Sequence, residues 1–404
     1  MRQLIFRGIN MSNQKVKDIV LNYEDEMIAM RRYLHTHPEL SGEEFKTTKY
    51  IANELTNLGL EYRLIEPTGI IVDLEGSQPG KTVLLRADMD ALPINELNDH
   101  LEYKSVNEGV MHACGHDSHV AMLFTALRAL LEVKDSIKGT VRFIFQPAEE
   151  IAQGASWAID QGVLEGVDNA FGIHIWTVDE TGQISCPSGP AFAAADQVTV
   201  KFNGVGGHAA QPHLTKDAVV MASQFVTNAQ SVVSRVVDPI APAVLTFGKI
   251  TGGDRWNVIA ANTTVEGTLR IFDQDERDKA EQAIRDYANH IAEMHDGTAE
   301  VEYIRLTEPV NNEDRSAALV QEVAAESFGN EKVQNNAPTM GAEDFGFYMT
   351  EIPGAFATVG CANIELDTTH PHHSAHFNVD EAALKTGAEL YANYALAYLN
   401  QDEF

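Results

Sequence analysis

The sequence has few cysteines and few basic residues for its length, and it contains no long apolar run. Cys114, Cys186 and Cys361 are the three cysteines among 404 residues. An odd and sparse number argues against a disulfide framework and is typical of a reducing compartment. No apolar stretch reaches the roughly 20 residues of a membrane-spanning helix, and residues 1–10 lack the apolar core of a secretion signal. We therefore expect a cytoplasmic protein.

Acidic residues outnumber basic ones by two to one. The 59 aspartates and glutamates stand against 29 lysines and arginines, which gives a formal net charge of −30. Such a surface repels nucleic acids and anionic membranes, so neither is expected as a partner. The hydrophobic share of 44% is that of an ordinary globular protein. A chain of 404 residues is too long for a single hydrophobic core, so two domains are expected.

The first half of the chain alternates strand-like and helix-like segments, the pattern of an α/β domain. Helices are predicted over 15–34, 44–58 and 118–133 from apolar residues at helical spacing. Short apolar runs predict strands over 81–93, 139–150 and 169–176.

A second pattern begins near residue 188. Strands at 196–203, 243–250, 263–271 and 299–306 enclose helices at 216–236 and 275–295, in the order βαββαβ. That order is typical of a ferredoxin-like unit. After Pro309 the α/β pattern resumes, with helices predicted over 316–329 and 382–400. The sequence therefore predicts a catalytic α/β domain, residues 1–187 and 309–404, interrupted by an inserted domain, residues 188–308.

Residues able to do chemistry follow the predicted strands, where sites of open α/β sheets form. Five clusters carry them: Asp88 and Asp90 in RADMDALP, Cys114 and His116 in HACGHD, Glu149 and Glu150 in QPAEE, His174 in GIHIW, and the histidine-rich tract HPHHSAHF at 370–377.

Each cluster has a second interpretation when taken alone. HACGHD offers a thiolate and an imidazole two residues apart, which suits zinc and, less well, cobalt, nickel or manganese. By itself it is more typical of a buried structural cysteine, and a cysteine nucleophile paired with histidine is a third, less favoured reading. Two adjacent glutamates fit a metal ligand beside a proton acceptor, or a solvated pair at a helix start. Placement of all clusters after successive core segments favours a metal site.

The inserted domain contains a glycine-rich loop, NGVGGHAAQPH at 203–213, which presents His208 and His213. Further along, Asn257 and Arg270 are polar residues of a strand region, and arginine can hold a carboxylate with two hydrogen bonds. Alternatively, His208 and His213 only cap a helix, and Arg270 is a surface arginine paired with an acidic residue.

Together these motifs, with NVI…GTLR and MGAEDF at 340–345, occur in a recognisable order. The chain resembles the N-acyl-amino-acid amidohydrolase family of metallopeptidases, which includes hippurate hydrolases, aminoacylase-like carboxypeptidases and auxin–amino-acid conjugate hydrolases. The resemblance extends from about residue 20 to 400. It implies a zinc-exopeptidase-like catalytic domain, with an inserted lid domain that commonly pairs two subunits.

The resemblance also implies roles for individual residues. Two divalent cations, Zn²⁺ or Mn²⁺ with Co²⁺ or Ni²⁺ as alternatives, are expected to hydrolyse the amide of an N-acyl amino acid. Glu149 is the expected general base, and Asp88 and Asp90 support the ligands or orient Glu149. His372 remains an alternative to His373 as the last ligand. The expected metal ligands are Cys114, His116, Glu150, His174 and His373.

For the inserted domain we expect His208 to stabilise the oxyanion, and Asn257 with Arg270 to bind the substrate carboxylate. Whether His208 acts on its own subunit or on the neighbouring one of a homodimer is open at this point. Alternative functions are a dipeptidase or aminobenzoyl-glutamate-type hydrolase with the same site, and a metal-binding protein without catalysis. Glu149 argues against the last, because a protein that only binds metal needs no base there.

Overall fold

Residues 14–401 are described by the computed structural model, and they form two compact units. Unit 2 comprises Phe192–Val310 and Pro338–Gly346, and unit 1 comprises the rest of the described chain. The boundaries predicted at 188 and 308 lie a few residues earlier. Segment 338–346, expected in the catalytic domain, groups with unit 2 because Ala193 N–H donates to the carbonyls of Thr339 and Gly341. The N-terminal residues 1–10 lie outside the described chain.

The strands are numbered along the chain. They are β1 Arg63–Leu64, β2 Ile70–Glu75, β3 Gln78–Asp88, β4 Lys138–Gln146, β5 Asn169–Glu180, β6 Ile184–Ser185, β7 Gly189–Phe192, β8 Ala194–Asn203, β9 Gly207–His208, β10 Ala243–Gly252, β11 Val258–Ile259, β12 Asn262–Ile271, β13 Thr298–Thr307, β14 Val310–Asn312, β15 Val333–Gln334 and β16 Gly354–Ala362.

The helices are numbered in the same way, with helical residues 14–22 as α1. The others are α2 Glu24–Thr36, α3 Phe45–Asn57, α4 His116–Glu132, α5 Gly154–Asp160, α6 Ala218–Ser231, α7 Gln274–Met294, α8 Asp314–Phe328, α9 Gly346–Glu351 and α10 Leu384–Leu399. In the part of the chain that is described, no helix has both the length and the apolar character that crossing a bilayer requires.

Unit 1 contains an eight-stranded mixed sheet in the order β1-β2-β4-β3-β5-β16-β6-β15. Its centre is parallel: β3 pairs with β4 and with β5, and β5 pairs with β16. β4, β5 and β16 are largely buried, and β3 is buried from Val83 to Asp88, as expected for parallel strands with helices on both faces. Because they run in one direction, their carboxyl ends lie at one edge of the sheet. The chemically reactive clusters that follow β3, β4 and β5 therefore meet there.

Unit 2 has the element order β8, α6, β10, β12, α7, β13, which is the βαββαβ order expected from the sequence. The four strands form one antiparallel sheet in the order β10-β12-β8-β13. A separate apolar core forms from the buried sides of these strands and of α6 and α7, including Val200, Phe225, Leu269 and Ile284.

A buried ion pair lies within unit 2. Arg277 on α7 and Asp196 on β8 are both fully buried, with Arg277 Nε 3.1 Å from each carboxylate oxygen. Tyr303 on β13 also donates its hydroxyl proton to Asp196. Taking two charges out of water is costly, so the pair stabilises the fold only while both partners are present.

The first prediction concerns this pair. Asp196→Asn removes the buried counter-charge of Arg277 and leaves it only the partly exposed Glu308, whose Oε2 lies 2.9 Å from Nη1. Breaking a buried pair costs about 3–5 kcal/mol. We expect faster hydrogen–deuterium exchange at amides of β8 and α7, which reports the lost stability of unit 2.

The matched control is the ion pair of Lys249 and Glu266 in the same unit, whose side chains are 62% and 38% exposed. Glu266→Gln is expected to cost no more than about 1 kcal/mol, because solvent screens such pairs. Equal exchange rates in the two variants would contradict the assigned importance of the buried pair.

Candidate metal centre

The turn from Cys114 to His116 depends on the glycine between them. Gly115 has φ of 97°, a left-handed conformation, and precedes the first residue of α4. An alanine Cβ at this position would lie 2.4 Å from Ile175 Cγ2 on β5, so only glycine fits. The turn brings the Cys114 thiol and the His116 ring to one cavity at the carboxyl edge of the sheet.

Glu149 and Glu150 lie in a turn directly after β4. Ala148 has φ of 55°, a conformation rare for residues with a side chain, and it breaks the alternation of a strand. Ala148 N–H donates to buried Glu44 Oε1 at 2.9 Å, which anchors the turn. One ligand atom each of His116, Glu149 and Glu150 lies within 4.8 Å of the others. Both carboxylates therefore reach the same cavity.

Asp90 connects the two turns. Its Oδ1 lies 3.1 Å from His116 Nδ1, and its Oδ2 accepts from Glu150 N–H at 3.0 Å and from the Ser41 hydroxyl at 2.7 Å. Burial alone would raise the pKa of Asp90, but these donors hold it below its ordinary value. The Asp90 oxygens therefore contact the His116 ring and the backbone of Glu150, as expected of a residue that supports the ligands. A part for Asp90 in catalysis stays a prediction.

His174 lies on β5 and faces Cys114, with Nε2 3.5 Å from the sulfur. Its Nδ1 lies 2.5 Å from the carbonyl oxygen of Ile175, an acceptor only, so Nδ1 carries the proton. The unprotonated Nε2 therefore points into the cavity. Burial lowers the pKa of His174 well below its ordinary value, so the ring is neutral, as a metal ligand must be.

Of the two neighbouring histidines in the C-terminal tract, His373 reaches the cavity. Its Nε2 lies 3.5 Å from Glu150 Oε2, and its backbone N–H donates to Ala113 O at 2.8 Å. His372 packs between His174 and Trp176, with ring centroids 5.1 and 4.9 Å away, and its Nε2 accepts from Thr177 N–H at 3.4 Å. Burial lowers the pKa of His372 to about 3. This geometry favours His373 as the ligand.

The cavity holds a donor set that suits divalent cations. Cys114 groups with His116 and His174, and also with Glu150 and His373, with ligand atoms within 4.8 Å of one another. His116 Nε2 and Glu150 Oε1 are buried without a hydrogen-bond partner. Buried polar atoms are rarely left so, and a bound cation would satisfy both. Thiolate, imidazole and carboxylate together fit zinc and related metals.

The electrostatics of the cavity also favour a cation. Burial, followed by the Glu150 and Glu149 carboxylates, raises the pKa of the Cys114 thiol well above its ordinary value. Burial would lower the pKa of His116, but Asp88, Asp90 and Glu150 raise it to about 10. The same negative charges attract a divalent cation, which would stabilise the thiolate and displace the proton from His116.

His119 belongs to the same region but was not singled out from the sequence. It lies on α4, three residues after His116 and so on the same helical face. Its Nδ1 bonds to Asp88, which also accepts from Arg86 Nη1 at 2.6 Å. Burial lowers the pKa of His119. The helical spacing His116–His119 was the signal that could have identified it.

Unit 2 carries the remaining predicted residues. His208 lies on β9, which pairs with β11 so that His208 is opposite Val258, next to Asn257. Ala210 N–H donates to His208 Nδ1 at 3.0 Å, so the exposed ring carries its proton on Nε2. His213, also exposed, lies in the short 3₁₀ helix Pro212–Leu214.

Arg270 lies at the other end of the unit 2 sheet. On β12 it pairs with Ala195 at the start of β8, whereas Asn262 pairs with Asn203 at the end that leads to β9. Eight residues of strand separate these pairs, about 26 Å at the rise of a β-strand. Arg270 therefore lies far along the strand from Asn262, and the expectation that Asn257 and Arg270 bind the substrate carboxylate stays a prediction.

Comparison with known proteins places this geometry in a family. Residues 84–397 match the model of peptidase family M20/M25/M40. The chain belongs to this family. It is 38% identical to thermostable carboxypeptidase 1 of Saccharolobus solfataricus over 394 residues, 96% of this chain and 99% of that one. It is 41% identical to the N-acyl-L-amino acid amidohydrolase of Geobacillus stearothermophilus over 306 residues, 75% and 82% of the two chains.

A solved structure agrees with the family assignment. The YXEP protein of Bacillus subtilis, described as a dinuclear metal-binding peptidase of family M20, superimposes with a TM-score of 0.83 at 33% identity, covering 94% of this chain and 99% of that one. The M20/M25/M40 chain is thus a metal-dependent hydrolase of amide bonds, and its candidate ligands fit two divalent cations.

The second prediction tests the ligand set of this M20 hydrolase. Cys114→Ser removes the softest of the candidate ligands, so the bound Zn²⁺ after dialysis should fall while the unfolding temperature without metal changes little. Zinc content by elemental analysis and thermal unfolding measure the two effects.

Cys186→Ser provides the control. Cys186 is also buried in unit 1, but its sulfur bonds to Phe356 O and Asn312 and is not among the candidate ligands. This variant should lose stability and keep its zinc. Full zinc retention in Cys114→Ser would remove the thiol from the ligand set.

Proposed function

We propose that this M20/M25/M40 hydrolase cleaves the amide bond of N-acyl amino acids. An N-acyl amino acid and a peptide cut by a carboxypeptidase share one feature, an amide next to a free α-carboxylate. The names of two relatives refer to these two substrate classes. The observation that carries the proposal is the convergence of Glu149 with the candidate metal ligands at the carboxyl edge of the sheet.

Two cations of Zn²⁺ or Mn²⁺ are proposed to be held by Cys114, His116, Glu150, His174 and His373. Co²⁺ and Ni²⁺ also suit this donor set. When bound, such cations activate water and polarise the carbonyl of the amide. The protein itself orients the imidazoles: Ile175 O sets the tautomer of His174, and Asp90 orients the His116 ring.

Glu149 is proposed as the general base. Its carboxylate lies in the cavity, 4.0 Å from His116 Nε2, and its side chain is 10% exposed. Glu150 bonds to His373 and supplies a ligand oxygen, so the adjacent carboxylates have different tasks. Glu149 accepts a proton from the attacking water and delivers it to the leaving nitrogen.

The third prediction separates these tasks. Glu149→Gln keeps the size of the side chain and removes proton acceptance, so turnover should fall roughly 10²–10⁴-fold with metal content unchanged. Glu150→Gln should instead lose metal. The measurements are the steady-state hydrolysis rate of N-acetyl amino acids and elemental analysis. Loss of metal in Glu149→Gln, with retention in Glu150→Gln, would exchange the two roles.

For unit 2 we propose that His208 donates from Nε2 to the oxyanion of the amide. Asn257 is proposed to contact the substrate beside it, and Arg270 to bind the α-carboxylate. Asn262, five residues after Asn257, lies at one end of β12, and Arg270 lies eight residues further along that strand, about 26 Å away. This separation favours contact of Asn257 and Arg270 with one substrate from different chains. The proposal is therefore a homodimer in which His208 and Asn257 act on the site of the neighbouring subunit.

Exposed apolar side chains of unit 2 support its use as the dimer contact. Val219 and Val220 on α6 are 39% and 40% exposed, and Ile250 on the edge strand β10 is 52% exposed. The cytoplasm is the proposed location, because the three cysteines are free and buried, as in a reducing compartment.

The fourth prediction tests action between subunits. Glu149→Gln and His208→Ala are each expected to be inactive alone. Mixed under conditions that exchange subunits, they should recover about a quarter of the wild-type rate, since half the dimers are mixed and each holds one intact site. The hydrolysis rate of the mixture gives the answer.

Mixed His208→Ala and His208→Gln subunits form the control, which should stay inactive because no intact site can arise. A mixture of Glu149→Gln and His208→Ala that stays inactive despite proven subunit exchange would place His208 in its own subunit. A protein that sediments as a monomer would exclude the arrangement.

Dipeptides are the second proposed substrate class, because one relative with 38% identity over 96% of this chain is named a carboxypeptidase. Measuring kcat/KM for a panel of N-acetyl, N-benzoyl and indole-acyl amino acids and of dipeptides distinguishes the two substrate classes, since the preferred class has the higher kcat/KM.

A further inference from the structure

His119 is bonded at both ring nitrogens and stands outside the proposed ligand set. Ile175 N–H donates to its Nε2 at 2.8 Å, and its Nδ1 bonds to Asp88 Oδ1. A ring that accepts at Nε2 carries its proton on Nδ1, so His119 is neutral and donates to Asp88. With both nitrogens occupied, His119 has no lone pair left for a metal.

The residue that His119 holds, Ile175, also supports three candidate ligands. Its carbonyl oxygen accepts the Nδ1 proton of His174. Its side chain lies against Gly115, where a Cβ would be 2.4 Å from Ile175 Cγ2, and so supports the turn between Cys114 and His116. The ring of His119 also meets the ring of His174 edge to face, with centroids 4.6 Å apart.

The position of Ile175 in the sheet explains why its backbone needs a side-chain partner. Pairing of β3 with β5 ends at Arg86 and Gly172, and β3 itself ends at Asp88. Beyond Gly172, β5 no longer pairs with β3, and side chains accept the backbone N–H groups of β5 on that side. Tyr391 accepts from Ile173 N–H at 3.0 Å and donates to Arg86 O at 2.7 Å, and His119 accepts from Ile175 N–H two residues later.

We propose that His119 is a positioning residue of the metal centre, which acts by fixing the backbone of Ile175. The inference rests on the metal-dependent function proposed above. Asp88 orients the His119 ring, His119 fixes Ile175, and Ile175 fixes the ring of His174 and the turn from Cys114 to His116. Groups that orient a ligand in this way commonly change metal affinity 10–100-fold when removed.

Two substitutions at His119 divide its two hydrogen bonds. An asparagine amide nitrogen takes the place of Nδ1, so His119→Asn keeps the bond to Asp88 and releases Ile175. A glutamine oxygen takes the place of Nε2, so His119→Gln keeps the bond to Ile175 and releases Asp88. We expect Zn²⁺ affinity, titrated against a chromogenic chelator, to fall 10–100-fold in His119→Asn and to be largely restored in His119→Gln.

Tyr391→Phe is the matched control, because it removes the same kind of strand-end bond at Ile173 without touching Ile175. It should lower the unfolding temperature and leave Zn²⁺ affinity unchanged. If His119→Asn also loses stability with unchanged affinity, His119 is only a strand cap and the inference is overturned. Equal affinity losses in His119→Asn and His119→Gln would overturn the route through Ile175. A wild-type protein without Zn²⁺ affinity would instead overturn the proposed function itself.

Discussion

The parallel pairing of β3 with both β4 and β5 is the constraint on which the rest of the site depends. Three strands that run in one direction end at one edge, and each end delivers polar residues to the same cavity. Asp88 and Asp90 follow β3, and Glu149 with Glu150 follows β4. β5 continues past the end of β3, so that His174 reaches the cavity from within a strand.

Bringing these groups together has an electrostatic cost that the protein meets by specific contacts. Asp88 is neutralised by Arg86 and hydrogen-bonded by His119, and Asp90 is satisfied by three donors. Glu150 and His116 still present buried atoms without a partner. A bound cation would offset the negative charge of the carboxylates and the thiolate and would be bound by the neutral imidazoles. The same close packing of these groups therefore both orients the ligands and favours cation binding.

Unit 2 contributes residues of a different kind. Its antiparallel sheet is stabilised by a core of its own and by the buried pair of Arg277 and Asp196. His208 lies on β9, outside that four-stranded sheet, and Arg270 lies on β12, opposite Ala195 at the start of β8. The proposed homodimer rests on the distance along β12 between Arg270 and the end of the strand that adjoins β11.

The sequence by itself determined the alternation of strands and helices in the first half of the chain, the βαββαβ pattern of the second unit and the residue types of the candidate metal site, because helical and strand periodicity and metal-ligand chemistry are local properties. It missed β16, whose small residues from Gly354 to Ala362 show no periodicity, although this strand lies beside β5 at the centre of the sheet. The family resemblance favoured His373 over His372, and the contact of His373 with Glu150 in the tertiary structure supports that prediction. Only the folded chain revealed the contacts of His119. Those contacts depend on strand ends and backbone turns that lie far apart in the sequence and meet only in the folded chain.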